Sequence, residues 1–143
     1  MKTARQLLSD KQIPHPVSIP SGVTVFQALQ VLAEWNVGAA LVMENGQLIG
    51  IFSERDYARK VVLQGRSTAT AKVNEVMTSH VVCVRADTLV SECLALITEK
   101  RIRHLPVKEE GKILGVLSIG DLVRATLEEK QFTIEQLESY IYQ

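Results

Sequence analysis

Apolar positions along the chain keep two rhythms, and the pair of rhythms occurs twice. After a Ser21-Gly22 turn, Thr24 is placed to cap a helix whose apolar residues Val25, Leu29, Leu32 and Ala33 fall at helical spacing. Leu89, Cys93, Leu96 and Ile97 repeat that stripe. Two short apolar runs follow each helix. Ala39 to Met43 and Leu48 to Phe52 are separated by Glu44-Asn45-Gly46-Gln47, and Asn-Gly between apolar runs predicts a hairpin. His104 to Val107 and Ile113 to Leu117 are separated by Lys108 to Lys112. A second helix then carries Tyr57, Val61 and Val62 in the first copy and Leu122, Val123 and Leu127 in the second. Pro16 to Pro20 reads as a short edge strand, since two prolines confine it. Residues 2–8 predict a short helix. Phe132 to Tyr142 predict another, capped by Thr133, with Glu135 and Glu138 following and Ile134, Leu137 and Ile141 on one face.

Each copy therefore reads strand, helix, strand, strand, helix, a mixed α/β (α+β) class. The repeat is explicit in the residues: Gly50-Ile51-Phe52-Ser53-Glu54-Arg55-Asp56 recurs as Gly115-Val116-Leu117-Ser118-Ile119-Gly120-Asp121, an offset of 65. Upstream, Thr24 to Leu29 match Thr88 to Cys93 at an offset of 64, which predicts one extra residue in the second copy near Glu109-Glu110. The expected boundaries are 8–66 for the first unit, 73–130 for the second and 131–143 for the C-terminal helix, with a polar linker from Gln64 to Lys72. Half of a 143-residue chain buries little surface alone, so the halves are expected to pack together as one module.

Sixteen basic and sixteen acidic residues cancel, which disfavours a nucleic-acid binder that works through a global positive field. The longest apolar runs are too short to span a bilayer, and Met1 to Asp10 hold no secretory apolar stretch, so no membrane role and a cytoplasmic location are expected. Cys83 and Cys93 fit no metal or redox spacing and read as small buried hydrophobes. His15, His80 and His104 are too scattered to read as metal ligands, and no phosphate loop ending in Gly-Lys-Ser/Thr is present. No catalytic set is legible.

The candidate chemistry lies in the repeated Ser-x-x-Asp. Ser53 and Asp56, like Ser118 and Asp121, share one face at a helix start. One reading is a capping box alone. The other is a ligand site: a helix N-terminus suits a phosphate, a Ser hydroxyl can donate to it, and a carboxylate can accept both ribose hydroxyls. Gly120 leaves room for close approach to the second helix start. Arg55 holds that position in the first copy; it and Arg59 read either as phosphate contacts or as solvated helix charges. Lys72, at the linker exit, is a further candidate cation. Gly50 and Gly115 fit a close backbone crossing.

At these residues the chain resembles the cystathionine-β-synthase (CBS) domain pair, or Bateman module, of the small stand-alone bacterial type. The duplicated Gly-φ-φ-Ser-x-x-Asp, Arg103-His104-Leu105-Pro106-Val107, the Val76-Met77-Thr78 segment before the second unit and the run Ser53 to Lys60 carry the likeness, which covers roughly residues 8–130. The resemblance implies two β-α-β-β-α units about a pseudo-twofold axis, with clefts that bind adenosyl ligands: AMP or ADP first, then ATP, NAD or S-adenosylmethionine. It implies that backbone around Leu105 and Pro106 reads the adenine, and that Arg101, Arg103 and His104 lie near the phosphates. It further implies a non-enzymatic, energy-sensing module that pairs into a homodimer and signals in trans to an effector protein. In the first copy Gly38-Ala39-Ala40-Leu41-Val42 replaces the basic residues and proline, which removes donors or leaves room for a longer ligand. The competing function is a structural dimerisation module with degenerate sites. Dimer contacts are expected on Leu29 to Trp35 and Leu94 to Ile97.

Overall fold

A computed structural model of the chain describes residues 1–11 and 16–142. Two compact units result, Pro16–Val81 and Met1–His15 with Val82–Gln143. Each compact unit is one copy of the repeat completed by the segment preceding the other copy. Residues 73–81 fold with the first β-hairpin, and residues 1–11 fold with the second.

In the unit Pro16–Val81, β1 (Ser18–Pro20) runs parallel to β2 (Ala39–Glu44), which pairs antiparallel with β3 (Gln47–Ser53). The sheet order is β1-β2-β3, so the proline-flanked strand is an edge strand, as predicted. Asn45 and Gly46 both take positive φ, 53° and 77°, the geometry that lets a two-residue turn match the strand twist. Helix α2 (Val25–Trp35) connects β1 to β2. Thr24 and Gln27 cap it reciprocally, side chain to backbone in both directions. Its buried residues are Val25, Ala28 and Leu32, while Ala33 is exposed. The buried stripe is thus turned from the one expected. Helix α3 (Glu54–Asp56) passes directly into a π-helical stretch, Tyr57–Val62, and α4 (Val73–Val76) closes the unit.

In the other unit, α1 (Ala4–Asp10) precedes β4 (Val84–Arg85), α5 (Val90–Lys100), β5 (His104–Glu109), β6 (Lys112–Ser118) and α6 (Ile119–Ile141). The sheet order is β4-β5-β6, parallel then antiparallel. Leu7, Cys93, Ile97, Leu105, Leu117 and Leu122 form the centre of its core.

Two expectations are corrected here. No extra residue sits near Glu109-Glu110. Ala39 pairs with Ser53 and His104 with Ser118, α2 begins at Val25 and α5 at Val90, and both hairpins turn through two residues, so the offset is 65 throughout. The structural counterpart of Thr24 is Leu89, the N-cap of α5. Thr88 instead accepts the Arg85 N–H at 3.1 Å in the preceding turn, which is why matching threonine to threonine shifts the alignment by one. Second, α6 is one helix of 23 residues, not two. Thr133 does not cap; its Oγ1 donates to the Glu129 carbonyl at 3.1 Å, the i−4 bond of a threonine inside a helix. Between Ile119 and Ile141 there is no proline, and the one glycine lies in the first turn, so nothing breaks the helix.

Apolar exposure also differs from expectation. Leu29, Trp35, Leu94 and Leu96 are half-buried and Leu32 and Ile97 buried, whereas the exposed apolar side chains concentrate on α6. Among the described residues no helix is long and apolar enough to cross a membrane.

Candidate ligand site

The site grows from the end of the β-hairpin in each unit. In the second copy β6 ends at Ser118, whose Oγ accepts the Asp121 N–H at 3.1 Å, while Asp121 Oδ2 accepts the Ser118 N–H at 2.8 Å. The capping reading of Ser-x-x-Asp is therefore realised in the structure. The Ile119 N–H donates to the Arg103 carbonyl at 2.8 Å, which locks the segment before β5 onto the start of α6. Register then sets His104 opposite Ser118, Leu105 opposite Leu117 and Pro106 opposite Val116. So Arg103, His104, Leu105 and Pro106 are brought alongside Ser118, Gly120 and Asp121. Leu105 and Pro106 are buried. β4 pairs with β5 only at Val107 and Lys108. Arg101 is set back from this group as the left-handed cap of α5. Gly120 is exposed, and an added Cβ would meet only Ser118 Oγ, at 3.6 Å.

Asp121 has a partner that sequence reasoning missed. Lys11 Nζ donates to Asp121 Oδ2 at 2.8 Å and to the Val116 carbonyl at 2.9 Å. The other carboxylate oxygen, Oδ1, has Arg124 at 3.9 Å, beyond hydrogen-bonding range. Burial works to raise the Asp121 pKa, but Lys11 and the Ser118 donors outweigh it and hold the carboxyl below its ordinary value.

The first copy builds the same frame. Glu54 N–H donates to the Gly38 carbonyl at 3.0 Å, and Ser53 and Asp56 cap reciprocally. Arg55 occupies the position of Gly120. Asp56, the one buried charged residue among those described, has both oxygens engaged. Oδ2 accepts from Ser53 N–H and Oγ, and Oδ1 accepts from Thr78 Oγ1 at 3.0 Å and lies 3.1 Å from Lys60 Nζ. Lys72 is not brought to this group. It bridges to Thr24 at the start of α2. The neighbouring Ser21 contacts Glu44, at the end of the hairpin away from Ser53. Lys60 was legible at i+4 from Asp56, and Thr78 in the Val76-Met77-Thr78 segment; Lys11 offered no local signal.

Gly50 and Gly115 admit a side chain from the segment that completes each unit. An added Cβ at Gly50 would collide with Met77 and lie 3.0 Å from the Thr78 carbonyl; at Gly115 it would come within 2.7 Å of Leu8 Cδ2. Among the described residues no group of three or more His, Cys, Asp or Glu is placed to hold a metal; His15 lies outside them.

Residues 8–63 and 73–128 each match the CBS domain. The chain belongs to the CBS-domain family. It is 40% identical over 123 residues to the CBS domain-containing protein CBSX3, mitochondrial, of Arabidopsis thaliana, covering 82% of this chain and 60% of that one. The chain thus spans three-fifths of that relative's length. A solved protein with CBS domains from Burkholderia ambifaria MC40-6 superposes with a TM-score of 0.84 at 43% identity, covering 93% of this chain and 99% of that one. The CBS domain pair of protein MJ0100, solved with 5′-methylthioadenosine and S-adenosyl-L-methionine, shares the fold at a TM-score of 0.78 and 21% identity, covering 90% and 98%. The two-unit, β-α-β-β-α reading of the sequence is thus that of the family.

Proposed function

We propose that this CBS pair is a non-catalytic regulatory module that binds an adenine nucleotide at the second Ser-x-x-Asp and passes the bound state to an effector protein in trans in the cytoplasm. The observation that carries this is Asp121: a carboxylate held ionised at a helix start, with one oxygen fixed by Ser118 and Lys11 and the other, among the described residues, faced by Arg124 at 3.9 Å. Two vicinal ribose hydroxyls are donors suited to this carboxylate. Lys11 brings a cation beside it, suited to a phosphate. Arg103 and His104 lie along the adjoining strand. A pair of the same fold, that of MJ0100, holds adenosyl compounds. AMP or ADP is the first candidate, with ATP, NAD and S-adenosylmethionine next.

For the first copy the structural alternative has its own support, because Asp56 is fully paired within its unit. We assign Asp56 to holding the Thr78 segment in place. Calorimetric titration of ligand-free protein with the five candidates tests the proposal. Binding of none at millimolar concentration leaves the structural dimerisation module as the reading.

A further inference from the structure

Beyond Ala125 and the half-buried Thr126, α6 buries nothing: every residue from Leu127 to Tyr142 is exposed. Yet Val123, Leu127, Ile134, Leu137 and Ile141 stay apolar, at 42, 62, 47, 58 and 69% exposure. With Lys130 they are spaced four, three, four, three and four residues apart. That alternation is the seam of a two-helix coiled coil, which the described residues of its own chain leave exposed. We infer that residues 123–141 pair antiparallel with the same segment of a second copy of this chain.

Orientation follows from the charges. In a parallel pair Lys130 would face its own counterpart across the seam, two like charges in an apolar contact. In an antiparallel pair centred on Phe132, Val123 meets Ile141, Leu127 meets Leu137 and Lys130 meets Ile134 of the second copy, so all six seam positions are matched over about 28 Å. The same register sets Arg124, on the flank of the seam, against Glu138 of the second copy, and does so twice by symmetry. Arg124 is available for this: its side chain is 70% exposed and 3.9 Å from Asp121. Beside the seam, α5 and the N-terminus line a largely apolar groove of about 520 Å³ bounded by Met1, Val90, Leu94 and Ile134, which continues the face that the second helix would cover.

The test is sedimentation of the full chain at micromolar concentration, with circular dichroism as the check on folding. Wild type should sediment at twice 15.9 kDa, and Leu137→Glu should be monomeric with its helix content largely kept. Arg124→Glu should weaken the dimer about tenfold, from two lost and reversed pairs, and adding Glu138→Arg should restore it to within about threefold. In a Cys83→Ala, Cys93→Ala background, Gln131→Cys should cross-link through a short bis-maleimide, since the antiparallel register brings the two copies of residue 131 together and a parallel one sets them on opposite flanks. A monomeric wild type, a dimer indifferent to Leu137→Glu, or a charge reversal that Glu138→Arg does not rescue would each overturn the inference.

Discussion

Lys11 Nζ lies 2.8 Å from Asp121 Oδ2, a contact between residues 110 apart in sequence. Its counterpart in the other unit is made by different chemistry. There Thr78 N–H donates to the Ile51 carbonyl at 2.8 Å and Thr78 Oγ1 donates to Asp56. In the second copy one ammonium does both tasks, donating to the Val116 carbonyl and to Asp121. Both segments are thereby tied to the unit they complete, the first by one ammonium and the second by a backbone N–H together with a hydroxyl.

Removing that cation should destabilise the protein. Lys11→Met leaves Asp121 partly buried without its ammonium partner, and a loss of about 1–3 kcal/mol is expected. Urea unfolding at pH 7 would measure it. An unchanged midpoint would show that the pair contributes nothing net.

The same pair sets an acid limit. The folded-state pKa of Asp121 lies below its unfolded value. Its contribution is therefore complete above the ordinary aspartate pKa of about 3.9 and is lost as pH falls through the lower folded value. Wild type should lose stability faster than Asp121→Asn as pH drops from about 5 towards 2, with the two curves parallel above pH 6. Parallel curves across the whole range would remove Asp121 from the acid transition.

The glycines before each Ser-x-x-Asp should differ in tolerance. Alanine at Gly50 meets Met77 and the Thr78 backbone together, while alanine at Gly115 meets the end of the flexible Leu8 side chain. Overpacking costs about 1–3 kcal/mol, so Gly50→Ala should fall in that range and Gly115→Ala below it. Leu8→Ala should offset part of the Gly115→Ala loss. Thermal midpoints of the four variants would show the order, and a larger loss at Gly115 would contradict it.

How much of this was legible depends on how local each feature is. Thr24 with Gln27, Asn45 with Gly46, and Ser118 with Asp121 act within four residues, and sequence reading placed all of them but Gln27. The threonine match of Thr24 to Thr88 misled because a hydroxyl serves a turn as readily as a helix cap, and the true cap of α5 is Leu89, which offers no side-chain acceptor. The segment that completes each unit was not legible for a related reason. Repeat boundaries follow similarity, whereas compactness follows contacts such as Val73 N–H to the Val23 carbonyl and Ala4 N–H to the Thr88 carbonyl. Lys11 and Asp121 meet only through that exchange, so no window of sequence contains both.

The two aspartates should part company when a nucleotide is offered. Among the described residues Asp121 Oδ1 has no donor closer than Arg124 at 3.9 Å, so Asp121→Ala should remove most nucleotide binding at modest cost to the fold. Asp56 is buried with four donors around it, so Asp56→Ala leaves those donors unsatisfied and should cost about 1–3 kcal/mol without weakening the ligand. A ligand that binds only the native state adds about 2.7 kcal/mol at a hundredfold excess over Kd, roughly 5–10 °C in midpoint for a domain of this size. The shift should be full in Asp56→Ala and nearly absent in Asp121→Ala. Lys11→Met separates base and ribose from phosphate: it should weaken AMP and ADP while leaving adenosine unchanged, because only the phosphate has use for the ammonium. If adenosine weakens equally, Lys11 acts by positioning Asp121 and not by meeting the phosphate.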